Sequence, residues 1–218
     1  MYKFSLGNQE QSSPRQILCL GAHSDDIEIG CGGTILRLSK ENPQLCVTWI
    51  VFGASGVRAT EAQASANRFL EHVADRKVIV NSFRDGYFPY TGAEIKDYFE
   101  TMKKDYSPDL IFTHYRNDLH QDHRLICELT WNTFRDHVIL EYEIPKYDGD
   151  IGTPNFFVNL SQDICQRKIE AILASFKSQQ NKPWFTEDAF LSLLRLRGIE
   201  SRSPTKYAEG FYGRKIIV

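Results

Sequence analysis

The chain has 218 residues, of which 42% are hydrophobic and 25% are charged, and these proportions exclude a disordered or collagen-like protein. A formal net charge of -2 lacks the basic excess of a general nucleic-acid binder, so we predict no nucleic-acid partner. No segment approaches the roughly 20 apolar residues of a membrane helix. Residues 1–15 also lack the pattern of a secretory signal, so we expect no membrane span and no export.

Five cysteines are scattered singly along the chain, and none belongs to a CxxC pair. The odd number and the spacing argue against a disulfide framework and against a zinc site made of thiolates. We therefore expect small buried thiols in a reducing compartment, which predicts a cytoplasmic protein.

Short apolar runs, typical of buried strands, alternate along the chain with segments of helical periodicity. The predicted strands are 16–21, 45–52, 77–81, 110–114 and 138–144, and the predicted helices are 29–40, 60–74, 93–106, 122–135, 162–176 and 186–197. This alternation predicts an α/β fold, a Rossmann-like and mostly parallel sheet flanked by helices on both faces. Residues 1–15 are predicted to be a loose lead-in to a single domain over residues 16–218.

Ligands of such sheets bind beyond the carboxyl ends of the strands, and the first predicted strand leads into His23-Ser-Asp-Asp. One imidazole and two carboxylates within four residues suit a divalent metal ion. Asp25 and Asp26 are adjacent and point in different directions, so one can bind the metal while the other acts as a base. A cap for the helix that follows is the alternative explanation of the pair.

A second polar turn follows the fourth predicted strand and holds three of the six histidines, His114, His120 and His123. His120 and His123 are three residues apart, so at a helix start they share a face. The two turns together offer His, Asp and His ligands with a spare carboxylate and a spare imidazole. A catalytic zinc needs three protein ligands and an open position for water, so the pattern indicates a hydrolytic metal site.

These residues resemble a known family. His23-Ser-Asp-Asp with Gly32-Gly33-Thr, together with His120-Gln-Asp-His, resembles the two motifs of the PIG-L / LmbE-like family of zinc-dependent N-acetylglucosaminyl deacetylases. Weaker matches follow in the expected order, at 58–61 (Arg-Ala-Thr-Glu), 85–86 (Asp-Gly), 174–179 (ending in Ser-Gln) and 206–211 (Lys-Tyr-Ala-Glu-Gly-Phe). The resemblance therefore spans about residues 16 to 212.

The chain departs from the family pattern in two places near the first motif. Ser24 stands where the family usually has proline, and Ile27-Glu28 stands where a glutamate usually follows the aspartate pair directly. Neither departure removes a ligand or the base, so we expect activity to be retained. Loss of the proline makes the turn less pre-set.

The resemblance implies a role for each motif residue. His23, Asp26 and His123 would hold one Zn²⁺ per chain, although iron or cobalt also suits two histidines and one aspartate. Asp25 would be the general base for a zinc-bound water. His120, expected to be protonated, would stabilise the oxyanion or protonate the leaving amine, and Asp122 would orient one of the histidines.

Residues at the predicted rim are candidates for substrate binding, namely Arg58, Asp85, Tyr87, Arg116 and Asp118. The arginines can bind an anionic group or be solvated surface charges. The polar segment 148–154 can be a substrate lid or only a connection.

The predicted function is the removal of an acetyl group from a small-molecule N-acetylated amino sugar or sugar conjugate. The alternatives are an amidohydrolase for a non-sugar N-acyl substrate and a non-catalytic metal- or sugar-binding protein. A nucleotide-binding domain is disfavoured, because residues 30–33 lack the GxGxxG spacing and the aspartate pair puts negative charge where a pyrophosphate would lie. The oligomeric state is left open, and a homo-oligomer is compatible with the sequence.

Overall fold

The computed structural model describes residues 15–215, so the predicted lead-in falls almost entirely outside the described residues. The strands are β1 (Gln16–His23), β2 (Cys46–Gly53), β3 (Asp75–Val80), β4 (Leu110–His114), β5 (Val138–Tyr142), β6 (Phe156–Leu160) and β7 (Tyr207–Gly213). The helices are α1 (Asp26–Glu41), α2 (Gly56–Phe69), α3 (Gly92–Asp105), α4 (Gln121–Thr133), α5 (Gln162–Ser175) and α6 (Glu187–Glu200). Two short 3₁₀ helices cover Phe88–Thr91 and Lys177–Gln179.

The strands form one sheet in the order β3-β2-β1-β4-β5-β7-β6. Strands β1 to β5 pair in parallel, whereas β7 pairs antiparallel with both β5 and β6. The predicted α/β fold with a mostly parallel sheet is confirmed. Strands β6 and β7 were not predicted, α1 begins three residues earlier than predicted, and β1 ends two residues later than predicted.

Two apolar clusters cover the two faces of the sheet. The alternation of side chains along β1 directs Ile17 and Cys19 into one cluster and Leu18 and Leu20 into the other. Helices α1, α2, α5 and α6 contribute to the first cluster, and α3 and α4 to the second. Helices therefore flank both faces, as the alternating pattern predicts.

The position of the functional motifs follows from the strand order. Strand β1 lies between β2 and β4, so the connections after β1 and after β4 leave the sheet side by side. His23 is the last residue of β1, and His114 is the last residue of β4. This is the switch point at which open α/β sheets form ligand crevices.

Helix α1 lies close against the sheet because it carries glycines where side chains from the strands approach it. A Cβ atom added at Gly30 would lie 2.2 Å from Cδ2 of Tyr142, which is fully buried and donates a hydrogen bond to the Leu20 carbonyl oxygen.

None of the helices within residues 15–215 is long and apolar enough to cross a membrane.

We expect Gly30→Ala to lower the free energy of unfolding by about 1–3 kcal/mol, since the buried Tyr142 ring has little room to move away. Chemical denaturation measures this change. Gly92→Ala is the matched control, because Gly92 lies in helix α3 with a negative φ and an added Cβ would come no closer than 3.9 Å to Leu125. The control is expected to be neutral or stabilised by about 0.4–1 kcal/mol, and equal losses in both variants would contradict the close packing at Gly30.

Candidate active site

Three side chains from the two predicted motifs converge beyond the ends of β1 and β4. The Nδ1 atom of His23 lies 3.1 Å from Nε2 of His123 and 3.5 Å from Oδ2 of Asp26. The Nε2 atom of His123 lies 3.6 Å from Oδ1 of Asp26. The structure therefore brings together the predicted ligands His23, Asp26 and His123.

This arrangement fits a metal ion in spacing and in chemistry. Ligands held tetrahedrally at about 2.0–2.2 Å from zinc lie roughly 3.3 Å from one another. The side chains of the three residues approach one another to 3.1, 3.5 and 3.6 Å, with His23 nearest to one carboxylate oxygen of Asp26 and His123 nearest to the other. Two imidazoles and one carboxylate are donors that zinc and similar divalent ions accept. Within residues 15–215, three overlapping sets of potential metal donors each contain one or two of these residues, together with His114, His120, Asp85 or Asp122.

The charges around His23 favour a cation at this place. Burial on its own would lower the pKa of His23, but hydrogen bonds to Asp122 and Asp26 outweigh it and raise the pKa well above its usual value. Burial opposes ionisation of Asp26 too, yet its histidine neighbours hold the pKa of that carboxyl well below its usual range. Burial lowers the pKa of His123 to about 3, so this ring is neutral, as a ligand must be.

Asp25, the predicted base, lies next to these residues but takes no part in their mutual contacts. It occupies the N-cap position of α1, and its side chain makes no capping hydrogen bond, so capping does not explain it. Its Oδ1 accepts a hydrogen bond of 3.1 Å from Arg58 Nη2. Burial and the charge of Asp26 raise the pKa of Asp25. A buried carboxyl with a raised pKa suits a general base.

Arg58 is anchored by the serine that replaces the usual proline. Its Nε and Nη2 atoms donate to the Ser24 hydroxyl at 2.9 and 2.6 Å. Ser24 is completely buried, so this pair of hydrogen bonds fixes the guanidinium beside Asp25. Proline offers no side-chain acceptor to such an arginine.

His120 lies beside the three converging residues, with its ring centroid 4.8 Å from that of His23 and 4.6 Å from that of His123. Its Nδ1 accepts the backbone N–H of Asp122 at 3.3 Å, which leaves the ring proton on Nε2. Burial and the charge of His23 lower the pKa of His120. The geometry at Nδ1 and the lowered pKa favour a neutral ring that donates through Nε2, whereas the sequence analysis expected a protonated His120.

Asp122 contacts a predicted ligand and also holds the loop after β3. Its Oδ2 lies 3.2 Å from Nε2 of His23, and the same carboxylate accepts the backbone N–H groups of Gly86 and Phe88 at 2.7 and 3.1 Å. Asp85, in that loop, places Oδ1 3.1 Å from the same His23 nitrogen. The structure thus puts Asp122 where an orienting residue is needed.

Asp118 lies behind the site and not at its rim, which corrects the sequence prediction. It is 2% exposed, and its Oδ2 lies 2.9 Å from Nδ1 of His123 and 3.0 Å from Nζ of Lys146. An acceptor on Nδ1 directs the other ring nitrogen of His123 toward His23 and Asp26. Asp118 is therefore a candidate orienting residue and does not face a substrate.

Of the other residues predicted to bind substrate, two line the cavity and two lie outside it. A cavity of about 270 Å³ opens above His23, and Arg58 and Asp85 line it. Arg116 lies elsewhere, with its guanidinium 5.7 Å from the Trp131 ring centroid, so it is not brought to the cavity. Tyr87 is 42% exposed and covered by the Arg84 guanidinium at 3.5 Å, and it does not line the cavity either.

No role was predicted for His114, which is fully buried beside the site, or for several residues of the outer cavity wall. His114 stacks on His123 with ring centroids 3.9 Å apart, and its Nε2 lies 3.2 Å from Asp26 Oδ2. The position of His114 at the end of a predicted strand was the feature of the sequence that could have indicated its place in the site. The outer wall comes from chain-distant residues, namely Ile144, Lys146, Tyr147, Asp148, Gln179, Lys182 and Trp184. Of these, Asp148 begins the polar segment 148–154, predicted as a lid or a connection, and Gln179 ends the 174–179 motif.

The fold and the His/Asp centre define an α/β protein with a metal-type site at the switch point of its sheet. Residues 18–134 match the PIG-L family, described as GlcNAc-PI de-N-acetylase. The match covers more than half of the chain and includes both motifs. The chain belongs to the PIG-L family.

Individual relatives agree with this assignment. The chain is 26% identical over 137 residues to YaiS of Escherichia coli K12, named an uncharacterized deacetylase, and the match covers 60% of this chain and 74% of YaiS. N,N'-diacetylchitobiose deacetylase from Pyrococcus horikoshii has a TM-score of 0.72 at 22% identity, covering 92% of this chain and 84% of that one. GalB, the 4-carboxy-2-hydroxymuconate hydratase of Pseudomonas putida KT2440, has a TM-score of 0.74 at 14% identity, covering 94% and 98%. At such identities the two structures show the shared fold alone.

We predict that Asp118→Asn weakens zinc binding about 10- to 100-fold, because the amide holds the His123 ring less firmly than the carboxylate does. Titration of the metal-free protein with zinc against a competing chelator measures the affinity. Asp97→Asn, an exposed change on α3, is the control and should bind zinc like the parent. Unchanged affinity in a correctly folded Asp118→Asn protein would show that Asp118 does not support the metal ligand.

Proposed function

We propose that this protein is a metal-dependent hydrolase that removes the acetyl group from an N-acetylated amino sugar or sugar conjugate. The observation that carries the proposal is the convergence of His23, Asp26 and His123 beside a separate buried carboxylate, Asp25, and a separate imidazole donor, His120. Membership of a family described as a de-N-acetylase, and relatives named as deacetylases, support the reaction.

The proposed metal is a single Zn²⁺ held by His23, Asp26 and His123, and the same donor set accepts other divalent ions. Bound zinc would lower the pKa of a coordinated water and polarise a carbonyl oxygen. The protein prepares the site by surrounding it with carboxylates, and it orients the two histidines through Asp118 and Asp122.

Asp25 is proposed to take the proton from the attacking water and to pass it to the nitrogen as the C–N bond breaks. Only its Oδ1 carries a hydrogen bond from Arg58, so the other carboxylate oxygen stays available for proton transfer. Arg58 in turn is fixed by Ser24, which holds the carboxylate in one position. Placement of this kind is a large part of general-base catalysis.

His120 is proposed to donate its Nε2 proton in a hydrogen bond to the carbonyl oxygen as negative charge develops there. The backbone N–H of Asp122 fixes the tautomer by occupying Nδ1. One oriented donor of this kind contributes about 2.7–4 kcal/mol to transition-state stabilisation. The role needs no charge on the ring.

The substrate part of the proposal depends on the cavity above the metal-type centre. Arg58 and Asp85 line it and offer a donor and an acceptor for the hydroxyl groups of a sugar. A site that activates water also suits hydration of a double bond, and a hydratase shares this fold. Release of a free amine distinguishes the two reactions.

Metal content and amine release, measured on the same preparations, test the proposed class. We expect one bound zinc per chain and amine release from at least one member of a panel of free and conjugated N-acetyl amino sugars. His23→Ala should lose both, because it removes a ligand, while His72→Ala, at an exposed histidine, should retain both. Metal binding without amine release from any panel member would contradict the proposed reaction.

Two further variants test the roles beside the metal. Asp25→Asn should keep its zinc and lose about 10²–10⁴-fold in kcat, since it removes the base but no ligand. His120→Ala should also keep its zinc and lose about 10²–10³-fold in kcat. Single-turnover assays on zinc-loaded protein measure both effects, and an Asp25→Asn protein with parental kcat would exclude Asp25 as the base.

A further inference from the structure

Two residues that the proposed mechanism does not use, Glu61 and Ser178, come from different sequence motifs and meet beside the cavity wall. Glu61, in α2, accepts two hydrogen bonds from Ser178, one from the backbone N–H at 2.9 Å and one from the hydroxyl at 2.6 Å. Arg58 lies one helical turn earlier in α2 and binds Ser24 in the site. Helix α2 therefore holds the short Lys177–Gln179 helix in a fixed position relative to Asp25.

The residue after Ser178 presents a hydrogen-bond acceptor that has no partner. Gln179 is 4% exposed and lines the same cavity as His23, Asp25 and His120. Its Nε2 donates to the Ser178 hydroxyl oxygen at 3.0 Å. Because that hydroxyl gives its own proton to Glu61, it can only accept from Gln179, and this fixes which end of the amide faces Ser178.

The carbonyl oxygen of Gln179 is consequently the free end of the amide. Within residues 15–215, no donor lies within hydrogen-bond distance of this Oε1 atom, although it is buried. Buried polar atoms in folded proteins are nearly always paired, and Gln179 is a residue that lines the cavity, so its unpaired oxygen indicates a partner that arrives with the ligand. The missing partner must carry an O–H or N–H group.

We propose that the carbonyl oxygen of Gln179 accepts a hydrogen bond from a ring hydroxyl of the sugar substrate, and that Glu61 and Ser178 position it. The proposal rests on the amino-sugar substrate class proposed above and adds a specificity-determining contact to it. Trp184 and Tyr147 line the same cavity and supply aromatic surface. A polar amide beside aromatic faces suits a hydroxylated ring, which presents both hydroxyl groups and apolar C–H surface.

Gln179→Met tests the contact, because methionine has a similar size and no carbonyl group. The probe is the N-acetyl amino sugar of the panel that the parent binds most tightly. We expect zinc-loaded Gln179→Met to bind this sugar at least tenfold more weakly by calorimetry, with a matching rise in KM and a smaller change in kcat. Its thermal midpoint should stay equal or rise, since an unpaired buried acceptor has been removed. Gln180→Met, at the exposed neighbouring glutamine, should bind like the parent.

Deoxy analogues of the substrate identify the hydroxyl group. One deoxy analogue lacks the hydroxyl group that binds Gln179. The parent should bind this analogue more weakly than the full sugar, whereas Gln179→Met should bind the analogue and the full sugar with equal affinity. Equal affinity of the parent and Gln179→Met for the full substrate would overturn the proposal. The proposal would also be overturned if no deoxy analogue reduced the difference in affinity between the parent and Gln179→Met.

The positioning role of Glu61 has a separate readout. Glu61→Ala should raise KM like Gln179→Met, and the double variant should lose no more than either single variant, because both act on one contact. Glu71→Ala removes a surface ion pair with Arg167 and serves as the matched control. Additive losses in the double variant would overturn the positioning role. Substrate binding without amine release by the parent would contradict the proposed function and leave this inference standing.

Discussion

The buried carboxylate of Asp26 is the constraint on which the rest of the site depends. It lies among three imidazoles, those of His23, His114 and His123, and its ionised form needs compensating positive charge in a place that water hardly reaches. Despite burial, hydrogen bonds to Asp122 and Asp26 raise the pKa of His23, which favours a positive charge here, and a divalent cation would supply that charge while leaving the two predicted ligand rings neutral. The adjacency of β1 and β4 makes this cluster, because each strand delivers one histidine at its last residue.

The residues that support the ligands also fix the walls of the cavity. Asp122 holds His23 and, with the same carboxylate, the backbone of the loop after β3. Asp118 holds His123 and also Lys146, whose segment follows β5. Each aspartate therefore joins a proposed metal ligand to a segment that lines the cavity. Ligand geometry and cavity shape are coupled in this protein, so a change in either aspartate acts on both.

The sequence predicted the parallel part of the fold and the converging residues well, because buried parallel strands are apolar runs and their polar ends are conspicuous. It could not predict β7, since Glu209 and Gly210 interrupt any apolar run. The structure pairs that glutamate with buried Lys168 and with the backbone N–H of Gly33. Asp118 was placed wrongly for a different reason. A loop residue carries no periodicity, so the direction of its side chain depends on distant partners such as Lys146.

The residues of the proposed metal centre and those of the outer cavity wall lie in different parts of the chain. Family membership therefore indicates more about the chemistry than about the substrate. Residues 18–134 contain every proposed ligand, the proposed base and the imidazole donor. The outer wall of the cavity comes from residues 144–184, beyond that match. The same sheet can therefore hold one metal-type centre beneath cavity walls that differ between proteins. A hydratase has the same fold, so the sheet alone does not determine which reaction is catalysed. Helix α2 joins the two parts, because Arg58 reaches the centre and Glu61, one turn later, holds the wall. If Gln179 contacts the substrate as proposed, selectivity depends on how firmly that helix keeps the wall in place above the centre.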